Sequence, residues 1–594
     1  MSDLLFWVFI LFACSAVSSA LLTRAKFQFF SAPEELVFSC GLGLGLAAYM
    51  VFALGSFGVL TAPAVLGVLL LCALSGGSRV LYLSVCLCET FKSRLREKKD
   101  PVVAALLVLL VMVAAFSLFG ALAPATGQDE LSYHLVHPKL FAENHRVYEI
   151  PYSTPALWPY LGEMLFTLGL LLKGAGLAKL SHWTFYLLTG AAIYCFVSRF
   201  ENRKTAFFSG AVYLFMPAAF IQAAFGYVDN TLAFYVFMAY YVLYLFFISS
   251  QRQWAVLSGV FTGLALSVKF LALFMLPVTA GFFLVHFFRQ KDKRGVFLSF
   301  LSYVTFVVLF GGLWYLRSYL LRGNPVFPFF YQFFGGPGER MAIDASAHGM
   351  GRGLAGFLLL PWNLTFHPQH FGGEHIGVLF LFFLPVFLLS RPMPRHLTFM
   401  AAAAASYAFF CFFMDQNTRF LFPAFALLAV AAGPSLAALV AGGPRIWEKA
   451  SALLVTGVFA MQAFFSVYHF HDEALVFFGR LSARNYLLGL ERTFALAEEV
   501  NRQTFPSDKI LSIGEVRGYY FQSPFVIESE LDSFTGYSIN HSPQEIRDFL
   551  KSHGFTHVLV AENSPREKAL EGVPMQSALI IRNLGHRYVL YRIL

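Results

Sequence analysis

Charge is what this chain has least of. Asp, Glu, Lys and Arg make up 13% of its 594 residues, about half the share of a soluble globular domain. That scarcity excludes a soluble enzyme. The seven cysteines, Cys14, Cys40, Cys72, Cys86, Cys88, Cys195 and Cys411, all fall in apolar runs. None has metal-ligand spacing and Cys86/Cys88 is no redox pair, so they read as small buried hydrophobes. There is no long tandem repeat and no low-complexity segment. The N-terminus also lacks a basic stretch before its first apolar run; Asp3 stands there instead. Residues 4–22 are therefore expected to be a retained span, with the N-terminus outside, and Ser18-Ser19-Ala20 no cleavage site. The net charge of +9 does not imply nucleic acid, because the basic residues cluster in short loops at 92–99, 199–204, 289–294, 391–396 and 445–449. That pattern marks cytoplasmic loops.

What the chain does have is apolar length. Hydrophobic residues are 58% of it, in many runs long enough to span a bilayer, which makes it a polytopic membrane protein. Residues 35–54 and 57–74 read as a hairpin. Residues 78–91 are too short to span and are expected at the interface. With the basic loops inside, residues 102–123 cross outward, so the loop 124–178 lies outside. Within it 157–173, which holds Glu163, is expected along the outer surface, and 179–198 makes the return crossing. Further spans are expected at 205–222, 231–249, a hairpin over 254–288 with Lys269 near its outer tip, 296–316, 376–390, 397–413, 420–441 and 447–467, with a second outer loop at 317–375. From His469 onward charge returns. Strands are expected at 509–513, 525–528, 556–561 and 587–593. A helix begins at Ser542-Pro543-Gln544-Glu545, with Ser as N-cap, Pro at N1 and Glu at N3, and stops before Gly554. The expected division is an N-terminal accessory part (1–100), a membrane module (101–468) and an outer α/β domain (469–594).

The candidate chemistry lies on the outer side. Asp129-Glu130 stands just after a long apolar run, where a carboxylate could act as a general base or could simply cap a helix. Asp129, Tyr133 and His137 recur at about one helical turn. Pro151 to Pro159 is a Pro/aromatic stretch suited to a carbohydrate wall or an interfacial belt. Tyr227 and Asp229 form a second outer turn. Lys269, ionisable within an apolar hairpin, could bind a phosphate or snorkel. Arg317 precedes a Pro-broken helix end. Arg419 could grip a phosphate with two donors or pair with Asp415. His134, His137, His370 and Glu374 leave a divalent metal open, without a diagnostic spacing.

Taken in order, the acidic pair, the Pro/aromatic segment, Gly226-Tyr227-Val228-Asp229, Gly263-Leu264-Ala265-Leu266-Ser267-Val268-Lys269, Trp314-Tyr315-Leu316-Arg317 followed by Gly323-Asn324-Pro325-Val326-Phe327-Pro328, and Thr418-Arg419-Phe420-Leu421-Phe422-Pro423 resemble the bacterial GT-C fold glycosyltransferases. These include protein O-mannosyltransferases and lipid A aminoarabinose transferases. The resemblance covers about residues 100–470. It implies a polytopic α-helical membrane protein of GT-C type, with about 12–14 transmembrane helices and a small C-terminal extracytoplasmic α/β domain. It also implies inverting transfer of a sugar from a polyprenyl-phosphate donor to a lipid, glycan or protein acceptor at the outer face of a bacterial inner membrane. Asp129 would take the place of the catalytic base and Glu130 that of its neighbour. Lys269 and Arg419 would lie near the donor phosphate. A transporter or flippase of a lipid-linked saccharide is the alternative.

Overall fold

A computed structural model gives the structure of the chain and describes residues 2–96, 100–150, 153–335, 348–389, 392–441, 444–528, 538, 541–562, 564 and 570–594. Pro151 and Tyr152 of the Pro/aromatic stretch, residues 97–99 and 391 of two basic loops, and residues 336–347 of the second outer loop lie outside the described residues.

Apolar runs become helices wherever a cap or a proline marks their ends. Asp100, for example, accepts from the Val102 N–H at 2.9 Å ahead of a proline at the first helical position. Four helices open the chain: α1 (Ser2–Arg24), α2 (Ala32–Ser56), α3 (Ala62–Arg96) and α4 (Pro101–Leu122). The short α5 (Val136–Glu143) and α6 (Leu161–Leu172) follow. Then come α7 (Ala175–Phe200), α8 (Arg203–Leu214), α9 (Pro217–Gln222), α10 (Asp229–Ser249), α11 (Arg252–Val268), α12 (Met275–Arg289) and α13 (Lys293–Arg322). Three short helices, α14 (Tyr331–Phe334), α15 (Leu354–Leu358) and α16 (Leu360–Phe366), lead to α17 (Leu379–Leu389), α18 (Arg395–Met414), α19 (Phe422–Ala441) and α20 (Arg445–His469).

Among the described residues, eleven helices are long and apolar enough to cross a membrane. Shorter segments supplement them. The α8–α9 pair, broken at Pro217, runs from the Lys204–Asp100 ion pair to the Gln222–Glu374 contact. Helix α11 runs from Arg252, bonded to Ser302, to Lys269, bonded to Asp229. The bundle thus has two polar ends. One gathers the basic loops and their acids, with Arg199–Glu34 at 2.8 Å and Lys204–Asp100 at 2.5 Å. The other gathers Asp129, Asp229, Lys269 and Arg419.

One expectation needs correction. Residues 57–74 and 78–91 are not a span and an interfacial piece but the single helix α3, bent at Gly76 (φ −152°, ψ 16°). The bend brings Gly76 against the Ala16 carbonyl of α1, where any side chain would collide. Helix α6 is enclosed by protein. Leu161 through Gly169 are all buried, packed by α2, α5 and α7. Glu163, on this helix, is bonded inside the protein to His134.

Beyond α20 the chain forms α21 (His471–Phe477), α22 (Ala483–Leu490) and α23 (Phe494–Gln503), then a five-stranded sheet. Its strands are β1 (Ile510–Ile513), β2 (Phe525–Ile527), β3 (His557–Ala561), β4 (Met575–Asn583) and β5 (His586–Ile593), in the order β2-β1-β3-β5-β4. β1 pairs parallel with β2 and β3, and β5 is antiparallel to β3 and β4. Helix α24 (Pro543–Ser552) lies between β2 and β3 in the chain and carries the predicted capping box. The two-residue alternation puts Leu511, Ile513, Val558 and Val560 on the α24 face, and Ile510, Leu559 and Leu590 on the α23 face.

Candidate functional site

The loop after α4 tightens into a single π-type turn over Glu130–His134, closed by the Leu135 N–H donating to the Glu130 carbonyl at 3.0 Å. Such turns insert one extra residue into helical register and recur at functional sites. Here Asp129 and Glu130, adjacent in sequence, serve different partners.

Asp129 meets Arg419 at 2.7 Å between Oδ2 and Nη2, with both side chains about a fifth exposed (23% and 19%). Its N–H donates to the Tyr227 hydroxyl at 3.3 Å, and the Arg419 guanidinium lies 5.3 Å from the centre of the Tyr227 ring. Burial alone would raise the Asp129 carboxyl. Arg419, by charge and hydrogen bond, together with His134 and Lys269 nearby, outweighs it and holds the group below the usual carboxylate range. Beside this pair, Lys269 breaks the chain between α11 and the turn leading to α12, and its ammonium reaches Asp229 Oδ1 at 2.9 Å. Lys269 and Arg419 flank one ring, 4.5 and 5.6 Å from the centre of Phe420. One donor and one acceptor here are buried without a partner: Arg419 Nε and Asp229 Oδ2. Buried polar atoms left unpaired are uncommon in folded proteins and mark this cluster as a functional candidate. Arg419 is thereby committed to Asp129 rather than to Asp415, which bonds His348 at 2.9 Å.

Glu130 is fully buried. Its carboxylate accepts from the N–H groups of Thr126 (3.2 Å), Gly127 (2.9 Å) and Gly226 (3.0 Å), with the buried Lys179 ammonium 3.9 Å away. It therefore ties the Asp129 loop to the Gly226–Asp229 turn. Glu130→Gln would leave Lys179 without its counter-charge and should cost about 1–3 kcal/mol of stability. Thermal unfolding in detergent measures this; an unchanged midpoint would refute the tie.

The remaining candidates separate. The Tyr133 ring lies tilted against His134, 4.1 Å between centres, and edges Trp158 at 5.7 Å. His134 Nδ1 is bonded to Glu163 at 2.7 Å, and His137 to the Tyr160 hydroxyl (2.6 Å) and Ser153 (2.9 Å). Arg317 donates to the carbonyls of Ala156 (2.7 Å) and Tyr148 (3.5 Å), bracing the segment that ends in the Pro/aromatic stretch. Glu374 bonds Gln222, and the His370 carbonyl accepts from Gly349 at 2.7 Å. His134, His137, His370 and Glu374 are thus not a ligand set. Among the described residues no three His, Cys, Asp or Glu side chains gather at a spacing that could hold a metal ion.

Burial, then His134 and Arg317 nearby, push His137 down to about 3 from 6.5. It folds neutral and would charge only when unfolded. Its contribution to stability is therefore complete above about pH 6.5 and is lost as pH falls from there toward about 3. Melting temperatures should decline over that range, and His137→Gln should flatten the decline. An equal slope in both proteins would exclude this origin.

Three contributors escaped the sequence reading: Glu163, Lys179 and His182. His182 joins its Nδ1 to the Phe225 carbonyl (2.9 Å) and accepts from the Asn230 N–H (3.0 Å), fixing the turn that presents Asp229. The signal was available. An ionisable side chain inside an apolar run is a functional candidate by default, and Lys179 and His182 sit at the start of α7.

Residues 159–315 match the family described as dolichyl-phosphate-mannose-protein mannosyltransferase. Among solved structures, ArnT from Cupriavidus metallidurans bound to undecaprenyl phosphate superposes with a TM-score of 0.57 at 15% identity, over 82% of this chain and 98% of that one. The same protein in its apo state gives 0.54 at 16% identity, with the same coverage. No curated protein matches the sequence. With its apolar bundle, its small C-terminal sheet domain and this likeness along almost the whole of ArnT, the chain has the GT-C fold of membrane glycosyltransferases.

Proposed function

We propose that the chain is an inverting glycosyltransferase that moves a sugar from a polyprenyl-phosphate donor to an acceptor held at the Asp129 end of the bundle. The observation that carries this reading is the Asp129–Arg419 pair beside Lys269, with the Arg419 Nε donor still unused. A base and two cations gathered in one cluster are what displacement from a phosphate-linked sugar requires. The acceptor hydroxyl oxygen attacks the anomeric carbon as the bond from that carbon to the phosphate oxygen breaks. The electron pair leaves with the polyprenyl phosphate, and the acceptor proton passes to the Asp129 carboxylate. The leaving group needs only neutralisation and placement. Arg419 supplies that from its planar fork, Lys269 as a point charge steadied by Asp229. The undecaprenyl phosphate bound by the structurally similar ArnT is an isoprenoid phosphate of the kind this site would release.

Glu130, Arg317 and His182 act in this account by holding loops rather than touching substrate. The positive-inside rule puts the basic end in the cytoplasm. The site and the sheet domain then face outward from a bacterial inner membrane, where the acceptor is a lipid, glycan or protein. Conversion of a polyprenyl-phosphate sugar to free polyprenyl phosphate tests the reading. Failure of the wild-type protein to convert any such donor would overturn it.

A further inference from the structure

The C-terminal domain reaches back to the loop that carries Asp129. The residues that reach are Gly518 to Phe521, between β1 and β2. The N–H groups of Gly518 (2.8 Å) and Tyr519 (3.1 Å) both donate to the Leu131 carbonyl. The Tyr520 hydroxyl donates to the Ala125 carbonyl at 2.7 Å. From the other side Lys139 Nζ donates to the carbonyls of Tyr519 (3.1 Å) and Phe521 (3.2 Å), and lies 5.5 Å from the centre of the Tyr519 ring. The contacts at Ala125 and Leu131 bracket Asp129 on both sides.

This finger is itself rigidly based. The buried Glu515 carboxylate accepts from Arg492 Nε (3.0 Å), the Tyr588 hydroxyl (2.9 Å), and the N–H groups of Val516 (2.9 Å) and Arg517 (3.1 Å). The Arg517 guanidinium in turn donates to the buried Glu491 at 2.9 Å. A Cβ on Gly518 would come within 2.8 Å of the Phe525 ring. Charge-assisted bonds of this kind are strong when buried and complete. They are placed behind the finger, so its position is set by the sheet rather than by the membrane bundle. Three bonds donated by the finger and two donated to it by Lys139 thus join the sheet domain to the segment 125–139.

We propose that the C-terminal domain is a positioning clamp: through Tyr520 and the Gly518–Tyr519 backbone it fixes the Asp129 loop at the geometry the transfer needs, with Tyr520 and Lys139 as positioning residues. This deepens the transferase reading and rests on it, although the clamp itself is a property of the loop. The clamp predicts a signature in rate and not in donor binding. Misplacing a base by a fraction of an ångström slows the reaction, whereas the cations that hold the donor phosphate are on other segments.

The experiment uses the full-length protein in detergent or vesicles. Tyr520→Phe keeps the ring and loses only the donated bond. Amide hydrogen exchange across residues 126–135 should rise relative to wild type. With a polyprenyl-phosphate sugar as donor, kcat should fall about tenfold at unchanged donor KM. Lys139→Met, which breaks the second set of contacts and leaves Tyr520 intact, should move both readouts the same way, and Lys139→Arg should restore them in part. Wild-type exchange and kcat in both Tyr520→Phe and Lys139→Met would overturn the clamp. So would a raised donor KM at unchanged kcat, which would make these residues substrate contacts instead. If the wild-type protein turns over no such donor, the transferase reading falls, and the exchange measurement alone still decides the clamp.

Discussion

Asp129→Asn should give a folded, inserted protein that transfers sugar at least a hundredfold more slowly, since a positioned general base contributes about 10²–10⁴ in rate. The substitution is nearly isosteric and keeps an oxygen for Arg419. It removes the partly exposed carboxylate of the cluster; Asp229, the other carboxylate held by a cation, is fully buried. Because Arg419, His134 and Lys269 together outweigh burial, Asp129 is ionised in the resting site, so the variant loses a carboxylate and not a neutral acid. The charge released on Arg419 should then be free for the donor phosphate. Donor KM is expected to hold or fall while kcat collapses, as when an interaction made in the transition state is removed. Release of polyprenyl phosphate over a range of donor concentrations separates the two constants. A variant with near wild-type kcat would remove Asp129 from the chemistry.

The second large effect concerns Lys269 and Asp229. Asp229 is fully buried, so Lys269→Met strands a carboxylate in the protein interior. Breaking such a pair costs about 3–5 kcal/mol. The lower end is expected here because the Lys269 side chain keeps 20% exposure and water screens the pair. Adding Asp229→Asn removes the stranded charge and should restore most of the lost stability, as pairwise coupling demands. It should not restore turnover, since the cation that faces the phosphate is still missing. Denaturant unfolding and donor turnover, read on the two single variants and the double, distinguish these roles. Recovery of activity in the double variant would show the pair to be structural only.

Much of this architecture was legible because apolar length and basic loops obey simple rules. Helices α1, α2, α4, α7, α10, α13 and α18 to α20 lie where the apolar runs predicted them. The capping box at Ser542 and the stop at Gly554, with φ of +76°, were readable from local chemistry. Strand β4 was not. Its hairpin turn places Leu584 and Gly585 at φ of +47° and +79°, and leucine is not the Asn or Asp that announces such a turn. The bend at Gly76 was hidden because a short polar interruption looks the same whether a helix ends or kinks. Within the site, Asp129 stood out as a carboxylate beside an apolar run. Its partner did not, because Asp415 is four residues from Arg419 in sequence and Asp129 is 290 away. Proximity in sequence favours the wrong acid. Glu130 looked like the twin of Asp129; only the fold reveals three backbone donors converging on it.

In the proposed reaction the Asp129, Arg419 and Lys269 cluster cleaves a sugar from an isoprenoid phosphate. Phosphorus-31 spectroscopy of vesicles holding the protein, a polyprenyl-phosphate sugar and candidate acceptors reads that step itself. The account predicts that the phosphodiester signal of the donor gives way to the phosphomonoester of free polyprenyl phosphate with the wild-type protein, and persists with Asp129→Asn. A phosphodiester that stays intact but changes leaflet would contradict it and identify a transporter.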